Sequence, residues 1–186
     1  MIEVKHVLDV LKKTKKAIET NNTFELKNLS NQTIHSSSIQ QDSDNISIAV
    51  TIYALGKIFE RVNFRSLKGW DNFYSITIKS LNNSISALEK NNIEEFRNHF
   101  QFIAKAINKI SGKLKDYITQ VFEKARINKA SRIYEHGISL GKTAELLGVN
   151  LYDLSTYAGN TGISEVPLTK TMNAKSRIKL TEDFFK

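Results

Sequence analysis

The feature that most constrains this chain is a run of apolar residues spaced alternately four and three positions apart. The run consists of Phe96, Phe100, Ile103, Ile107, Ile110, Leu114, Tyr117 and Val121. Residues with this spacing share one face of an α-helix and give it a continuous apolar stripe. Asn92 can cap the N-terminus of such a helix, and Glu94 and Glu95 complement its dipole. The pattern predicts one long helix from about Asn92 past Val121, with its central residues buried.

The long stripe suits either a coiled-coil homodimer or a helix packed inside an intrachain bundle. Its aromatic content and its few complementary flanking charges favour the bundle, with the homodimer as the alternative. Helical spacing also occurs at about 2–20, 46–58 and 70–90, and less clearly at 23–41. One proline and eight glycines leave few helix breakers. We therefore predict an all-α fold with a helical bundle over residues 1–122.

Composition narrows the classes of function. The chain has no cysteine, which excludes disulfides, thiolate metal sites and a cysteine nucleophile. The N-terminus is polar and charged, and no apolar run is long enough to span a membrane, so we predict a cytoplasmic protein without a membrane partner. The formal net charge of +8 favours an anionic partner, nucleic acid first.

A second pattern predicts a helix-turn-helix-like module at 123–162. Gly137 is suited to end one helix, and Ser139 to cap the next. That short helix ends at Gly148, and apolar residues from Val149 to Tyr157 begin another. A small side chain at Ala144 permits a close helix crossing, and the glycine permits the sharp turn. Residues 163–186 are predicted to form a basic tail that carries at most a short terminal helix.

The segment "ASRIYEHGISLGKTAELLGVNLYDLSTYAGNTGI" resembles small archaeal and bacterial antitoxin-like proteins that partner PIN-domain ribonuclease toxins. The matching residues are Tyr134, Gly137, Ser139, Gly141, Ala144, Leu147 and Gly148. They cover a small part of the chain, and many helix-turn-helix domains share them. The resemblance implies a non-enzymatic regulatory protein with nucleic acid and a PIN-type nuclease as partners.

The second helix of this module, at 151–158, is the recognition helix if the module reads DNA. It contains no lysine or arginine, and Asp153 opposes a negative groove. Positive charge flanks the module instead, and we predict phosphate contacts there, with polar contacts from the module itself. The predicted nucleic-acid-binding residues are Lys129, Arg132, His136, Lys142, Asn150, Thr156, Lys170, Lys175, Arg177 and Lys179. Two alternatives remain: the module docks protein, or the cations offset helix dipoles and solvate the tail.

The first domain is faintly similar to HEPN helical bundles in "LSNQTIHSSSI" and the following "SIAVTIYALGKIFE". Some of these are ribonucleases with an arginine and a histidine separated by four to six residues. Arg132 and His136 are separated by three only, and His35 has no arginine close before it. No paired histidine spacing for a metal and no phosphate-binding glycine loop occur. We predict no catalytic residue, metal or cofactor. The alternatives are an interaction factor bound to a ribosome or other large assembly, and a HEPN-like ribonuclease.

Overall fold

The computed structural model describes residues 4–40 and 42–161, and these form helices without a strand. The all-α prediction is therefore confirmed for this part of the chain. The predicted tail, with Lys170, Lys175, Arg177 and Lys179, lies outside the described residues. The helices are α1 (Val4–Glu19), α2 (Thr23–Gln40), α3 (Ser43–Glu60), α4 (Trp70–Glu89), α5 (Ile93–Lys105), α6 (Gly112–Glu135), α7 (Leu140–Leu147) and α8 (Leu151–Asn160). Two 3-10 turns occupy Val62–Ser66 and Ala106–Lys109.

Short polar side chains start several of these helices. The Asn92 side-chain oxygen accepts a hydrogen bond from the Glu95 amide at 3.1 Å at the start of α5. The Ser139 hydroxyl accepts from the Lys142 amide at 3.3 Å at the start of α7. Each cap satisfies a backbone donor that the first helical turn leaves without a partner. The helix starts are thus encoded locally, by residues that the sequence makes visible.

Helix α3 lies at the centre of the bundle. Ile48, Ile52, Leu55 and Ile58 are completely buried, and further buried residues lie between them along the helix. It packs against α2 on one side and against α6 on another. A helix that is apolar on most of its circumference is stable only inside the protein, surrounded by other helices. The remaining elements therefore assemble around α3.

The predicted long helix is interrupted, and this part of the prediction is wrong. Helix α5 ends at Lys105, a 3-10 turn follows, and the backbone is extended at Ile110 and Ser111 before α6 begins. Gly112 then adopts a φ of +66°, which strains any residue with a β-carbon. The apolar stripe survives the break, because Ile110 is buried, although Ile107 is only half-buried. The apolar spacing therefore predicts which side chains are buried. The path of the backbone is set instead by Ser111 and Gly112, where the helix is interrupted.

Helix α6 joins the two parts of the predicted domain division. It passes without a break through the predicted boundary between residues 122 and 123. Buried residues from both of its halves, such as Ile118 and Ile133, belong to one apolar cluster that also contains Leu147 and Leu154 of the following helices. The division into a bundle and a module stays a prediction, and the two parts share a helix and a core. Among the described helices, none is long and apolar enough to cross a membrane.

Candidate nucleic-acid interface

Lys129 does not lie on a surface that a phosphate can reach. Its side chain is completely buried between α2, α3 and α6, and its ammonium donates a hydrogen bond to Asn31 Oδ1 at 2.8 Å. The same nitrogen lies 4.4 Å from the ring centroid of Tyr53. The prediction that Lys129 contacts phosphate is therefore wrong. The spacing along α6 predicts that Lys129 lies beside Arg132 on an exposed face. The buried face of α6 is wide enough to include Lys129 as well.

Two of the other predicted cations are exposed and already have acidic neighbours. Arg132 Nη1 lies 2.9 Å from a carboxylate oxygen of Glu135, and Lys142 Nζ lies 3.0 Å from one of Glu145. Exposed ion pairs of this kind contribute at most about 1 kcal/mol, so nothing in their geometry prevents exchange for a phosphate. His136 is exposed at the C-terminal end of α6. Arg132 and Lys142 are exposed, and each is partly neutralised by its neighbouring carboxylate.

The exposed face of α8 is polar without being basic. Asn150 uses its side-chain oxygen to cap the helix, accepting from the Tyr152 amide at 2.8 Å. Asp153 in the first turn of α8 and Thr156 in the next are both exposed. Within the described residues, α7 and α8 form a helix-turn-helix in which Gly148 supplies the left-handed turn at φ +61°. The turn geometry is present, but the cations of a phosphate-binding surface are not concentrated on it.

The structure brings basic and aromatic side chains together elsewhere, in two adjoining cavities. The larger, of about 510 Å³, lies between α3, α6 and α8, and the smaller, of about 170 Å³, lies between α2 and α3. Both are walled by Tyr53, Lys57 and Glu60. We call this surface the Tyr53 groove. Its aromatic, charged and amide residues are Phe24, Lys27, Tyr53, Lys57, Glu60, Arg61, Tyr117, Gln120, Lys124, Asn128 and Tyr157.

Helical periodicity places these residues on facing walls. Tyr53 and Lys57 are one turn apart on α3, and Arg61 follows at the C-terminal cap of that helix. The opposite wall is formed by α6, with side chains three or four positions apart on one face. These are Tyr117, Gln120, Val121, Lys124, Ile127 and Asn128. The packing of α3 against α6 in the core holds the two walls in place.

The walls of the groove carry more positive than negative charge. Lys27, Lys57, Arg61 and Lys124 line it, and Glu60 is the single carboxylate among its lining residues. Lys57 and Glu60 form an ion pair of 2.7 Å, and that hydrogen bond raises the pKa of Lys57. The excess of cations over carboxylates in these walls favours an anionic ligand.

Aromatic contacts hold rigid the far end of the groove, where Arg61, Tyr117 and Tyr157 lie. The rings of Phe64 and Tyr117 stack with centroids 3.7 Å apart, and the Tyr117 hydroxyl donates to the Lys57 carbonyl at 3.0 Å. The Arg61 guanidinium lies 5.4 Å from the Tyr117 centroid. Asn128 donates to the Tyr157 hydroxyl oxygen at 3.0 Å, which ties α8 to α6. The far end is thus preorganised by contacts among its own residues.

Burial shifts the pKa values of two tyrosines that line the groove and of the lysine behind it. It raises the pKa of Tyr53 and of Tyr117, so both phenols stay neutral at pH 7. Burial, together with the positive charges of Arg132 and Lys27, lowers the pKa of Lys129 to about 8. Lys129 is still mainly protonated at neutral pH. Its ammonium therefore adds positive charge directly behind Tyr53.

The residues of the Tyr53 groove were missed from the sequence. Tyr53 falls within the helical apolar spacing of residues 46–58, which predicts a buried side chain, and it is in fact half-buried. A signal was present: Tyr53, Lys57 and Arg61 recur every four residues, and Tyr117 and Lys124 are two turns apart. Each stripe alone is ordinary for a surface helix. Only the packing of α2, α3 and α6 shows that the stripes share one groove.

Comparison with known proteins found no match. No family model, no curated protein and no solved structure matches it. The resemblances to antitoxin-like and HEPN proteins therefore stay predictions. Within residues 4–40 and 42–161, no group of three histidine, cysteine or acidic side chains is placed to hold a metal ion.

Proposed function

We propose that this protein is a non-enzymatic, regulatory nucleic-acid-binding protein that engages DNA or RNA through the Tyr53 groove. The observation that supports the proposal is the concentration of Lys27, Lys57, Arg61 and Lys124 in a groove with one carboxylate. Phosphate contacts supply most of the affinity of sequence-independent nucleic-acid binding, and cations along a continuous groove match a polyanion better than scattered ones.

Aromatic side chains in the same groove favour nucleic acid over a simple anion. Tyr53, Tyr117 and Tyr157 line the larger cavity alongside Arg61 and Lys124. Nucleic-acid channels combine cations that follow the backbone with rings that contact bases or sugars. The groove has both components within one surface. The exposed cations Arg132 and Lys142 would then extend the field around it without forming its centre.

A second candidate function is protein docking through α8, and one observation favours it. Leu151 is 51% exposed and Tyr152 is 75% exposed at the N-terminal end of that helix. Exposed tyrosines are common anchors in protein interfaces, and the neighbouring leucine adds apolar contact area. A regulator of the antitoxin type would use this surface for a partner such as a PIN-type nuclease, and an assembly factor would use it on a ribosome.

Charge reversal separates the groove from the helix-turn-helix. The double variant Arg61→Glu with Lys124→Glu removes two cations of the groove, and Lys142→Glu is a single-reversal control on α7. For the double variant we expect affinity for a short labelled oligonucleotide to fall about tenfold or more, which corresponds to ~1.4 kcal/mol. The slope of log affinity against log salt should decrease by roughly 0.7 to 0.9 for each lost contact. Fluorescence anisotropy over a salt series measures both.

The control decides which surface carries the binding. If Lys142→Glu weakens binding as much as the double variant, the helix-turn-helix contributes equally and the groove assignment is wrong. If the unmodified protein binds no oligonucleotide at low salt, nucleic-acid binding itself is rejected and docking through α8 becomes the leading function.

A further inference from the structure

The smaller cavity of the Tyr53 groove is lined by an aromatic ring that lies outside the hydrophobic core and is largely exposed to solvent. Phe24 lies in the first turn of α2 and is 71% exposed. Its neighbours around the cavity include Lys27, one turn along α2, and Lys57 and Tyr53 on α3. A large apolar side chain that faces water beside two cations gains little from packing. Concave ligand-binding sites combine aromatic side chains with a few charged groups in this way.

Close packing of α2 on α3 creates this arrangement. Gly56 lies in the wall of the smaller cavity, and a β-carbon there would lie 3.3 Å from Leu26 Cβ and 3.8 Å from the Thr23 carbonyl oxygen. The absence of a side chain at Gly56 allows the start of α2 to approach α3 closely. Phe24 and Tyr53 therefore line the same cavity although they come from different helices.

We infer that the smaller cavity is a base-stacking subsite for single-stranded nucleic acid, in which a base stacks on Phe24 while Lys27 and Lys57 hold the adjacent phosphates. This inference rests on the proposed function and specifies its ligand. The strand would continue past Glu60 into the larger cavity, where Arg61 and Lys124 offer the next cations.

The exposed ring of Phe24 favours a single strand over a duplex as the ligand. In a duplex the faces of the bases are covered by their stacked neighbours, so a ring on the protein surface cannot reach one. In a single strand a base can leave the stack and lie on an aromatic side chain, whatever its identity. The subsite is accordingly expected to favour single strands over duplexes without strong sequence preference.

Tyr53 forms the fixed side of this subsite. Lys129 lies 4.4 Å from the centre of its ring and is itself held by Asn31 at 2.8 Å. The ring is therefore restrained from behind by a buried cation before any ligand arrives. A restrained wall lowers the entropic cost of binding, because less of the site has to be ordered.

The test compares two exposed phenylalanines. Phe24→Ala removes the proposed stacking ring, and Phe102→Ala is the control, since Phe102 is 46% exposed on α5 and lies outside the groove. Both sites are exposed, so both variants are expected to fold. For labelled single-stranded RNA and DNA, Phe24→Ala should weaken binding roughly tenfold to a hundredfold without changing the salt slope. Phe102→Ala should bind like the unmodified protein.

An abasic oligonucleotide tests the contact from the side of the ligand. It keeps the phosphates but offers no base to stack, so the unmodified protein should bind it about as weakly as Phe24→Ala binds the normal strand. Combining the two changes should then give little further loss, because both remove one interaction. Phe24→Trp should retain affinity, and its fluorescence should change when the strand binds.

Several outcomes would overturn the inference. If Phe24→Ala leaves single-strand affinity unchanged while Arg61→Glu with Lys124→Glu abolishes it, the groove binds phosphates only and the proposed function stands without the subsite. If a matching duplex binds as tightly as the single strand, the proposed selectivity is wrong. If a free nucleoside monophosphate binds as tightly as the oligonucleotide, the ligand is a nucleotide and not a strand. Absence of binding to every nucleic acid rejects the proposed function as well.

Discussion

The Tyr53 groove and the α7–α8 helix-turn-helix are neighbouring surfaces that share α8, through Tyr157. They differ in how the sequence encodes them. The helix-turn-helix is local: Ser139 caps one helix, Gly148 forms the turn and Asn150 caps the next. The groove is assembled from four helices, with residues from Phe24 to Tyr157. The first was visible in the sequence, whereas the second was not.

The helix-turn-helix, which the sequence predicts to be the nucleic-acid-binding module, carries less positive charge than the groove. On α7, Lys142 is paired with Glu145, and the exposed residues of α8 include Asp153 but no cation. The groove contains one ion pair of the same kind, between Lys57 and Glu60, but Lys27, Arg61 and Lys124 line its walls as well, with no other carboxylate among the lining residues. A turn motif indicates backbone geometry, because capping residues bond to backbone groups and glycines adopt the left-handed conformation that the turn requires. It does not report the charge of the face that the turn presents.

The largest expected effect compares the packing beneath the two surfaces. Leu55 of α3 and Leu154 of α8 are both completely buried. Leu55→Ala should destabilise the protein by about 4 to 5 kcal/mol and Leu154→Ala by about 2 to 3 kcal/mol, because a short surface helix can settle into the space and a central helix cannot. Urea unfolding measures both values. An equal or larger loss for Leu154→Ala would show that α8 is as firmly embedded as α3.

The next effect tests the buried cation behind Tyr53. The folded state lowers the pKa of Lys129 to about 8, whereas in the unfolded chain it has its ordinary value of 10.5. Between these values the unfolded state binds more protons, so the contribution of Lys129 to stability rises as pH increases from 8 to 10.5. Below pH 8 both states are protonated, and the folded protein carries the full cost of a buried charge.

Lys129→Met removes that titration and keeps most of the side-chain volume. At pH 7 the variant should be as stable as the unmodified protein or more stable, because a well-packed apolar side chain replaces a buried charge. The difference between the two proteins should shift in favour of the unmodified protein by roughly 2 to 3 kcal/mol between pH 7 and pH 10. Urea unfolding at both pH values measures the shift. A pH-independent difference would mean that Lys129 is not buried as a cation.

The smallest effect concerns the turn of the helix-turn-helix. Gly148 has φ +61° and Gly141 lies within α7 without a positive φ, and a β-carbon at either position would meet no atom within 4 Å. Gly148→Ala should therefore destabilise by about 1 kcal/mol through backbone strain alone. Gly141→Ala should stabilise by about 0.4 to 1 kcal/mol, since alanine is the better helix former. Thermal unfolding resolves the two signs, and a shared sign would contradict the left-handed turn.

The interruption at residues 106–111 shows how far periodicity alone can be trusted. The alternation of four and three correctly marked Phe96, Ile103 and Leu114 as core residues. It could not show that the backbone leaves the helix between them, because apolar spacing records which side chains face the core. The signal for the break was the Ser111–Gly112 pair, where glycine alone accepts the positive φ without strain.

The sequence by itself determined that the described chain is helical, where most helices start, and which apolar stripes face the core. Those properties depend on caps, turn residues and spacing, all of which act within a few positions of the chain. Only the tertiary structure decided that Lys129 is buried behind Tyr53 and that Lys27, Lys57, Arg61 and Lys124 line one groove. The physical reason is that burial and electrostatic potential depend on distances between helices. A helical stripe has the same spacing whether it faces solvent, a core or the wall of a groove, and the neighbouring helix determines which it becomes.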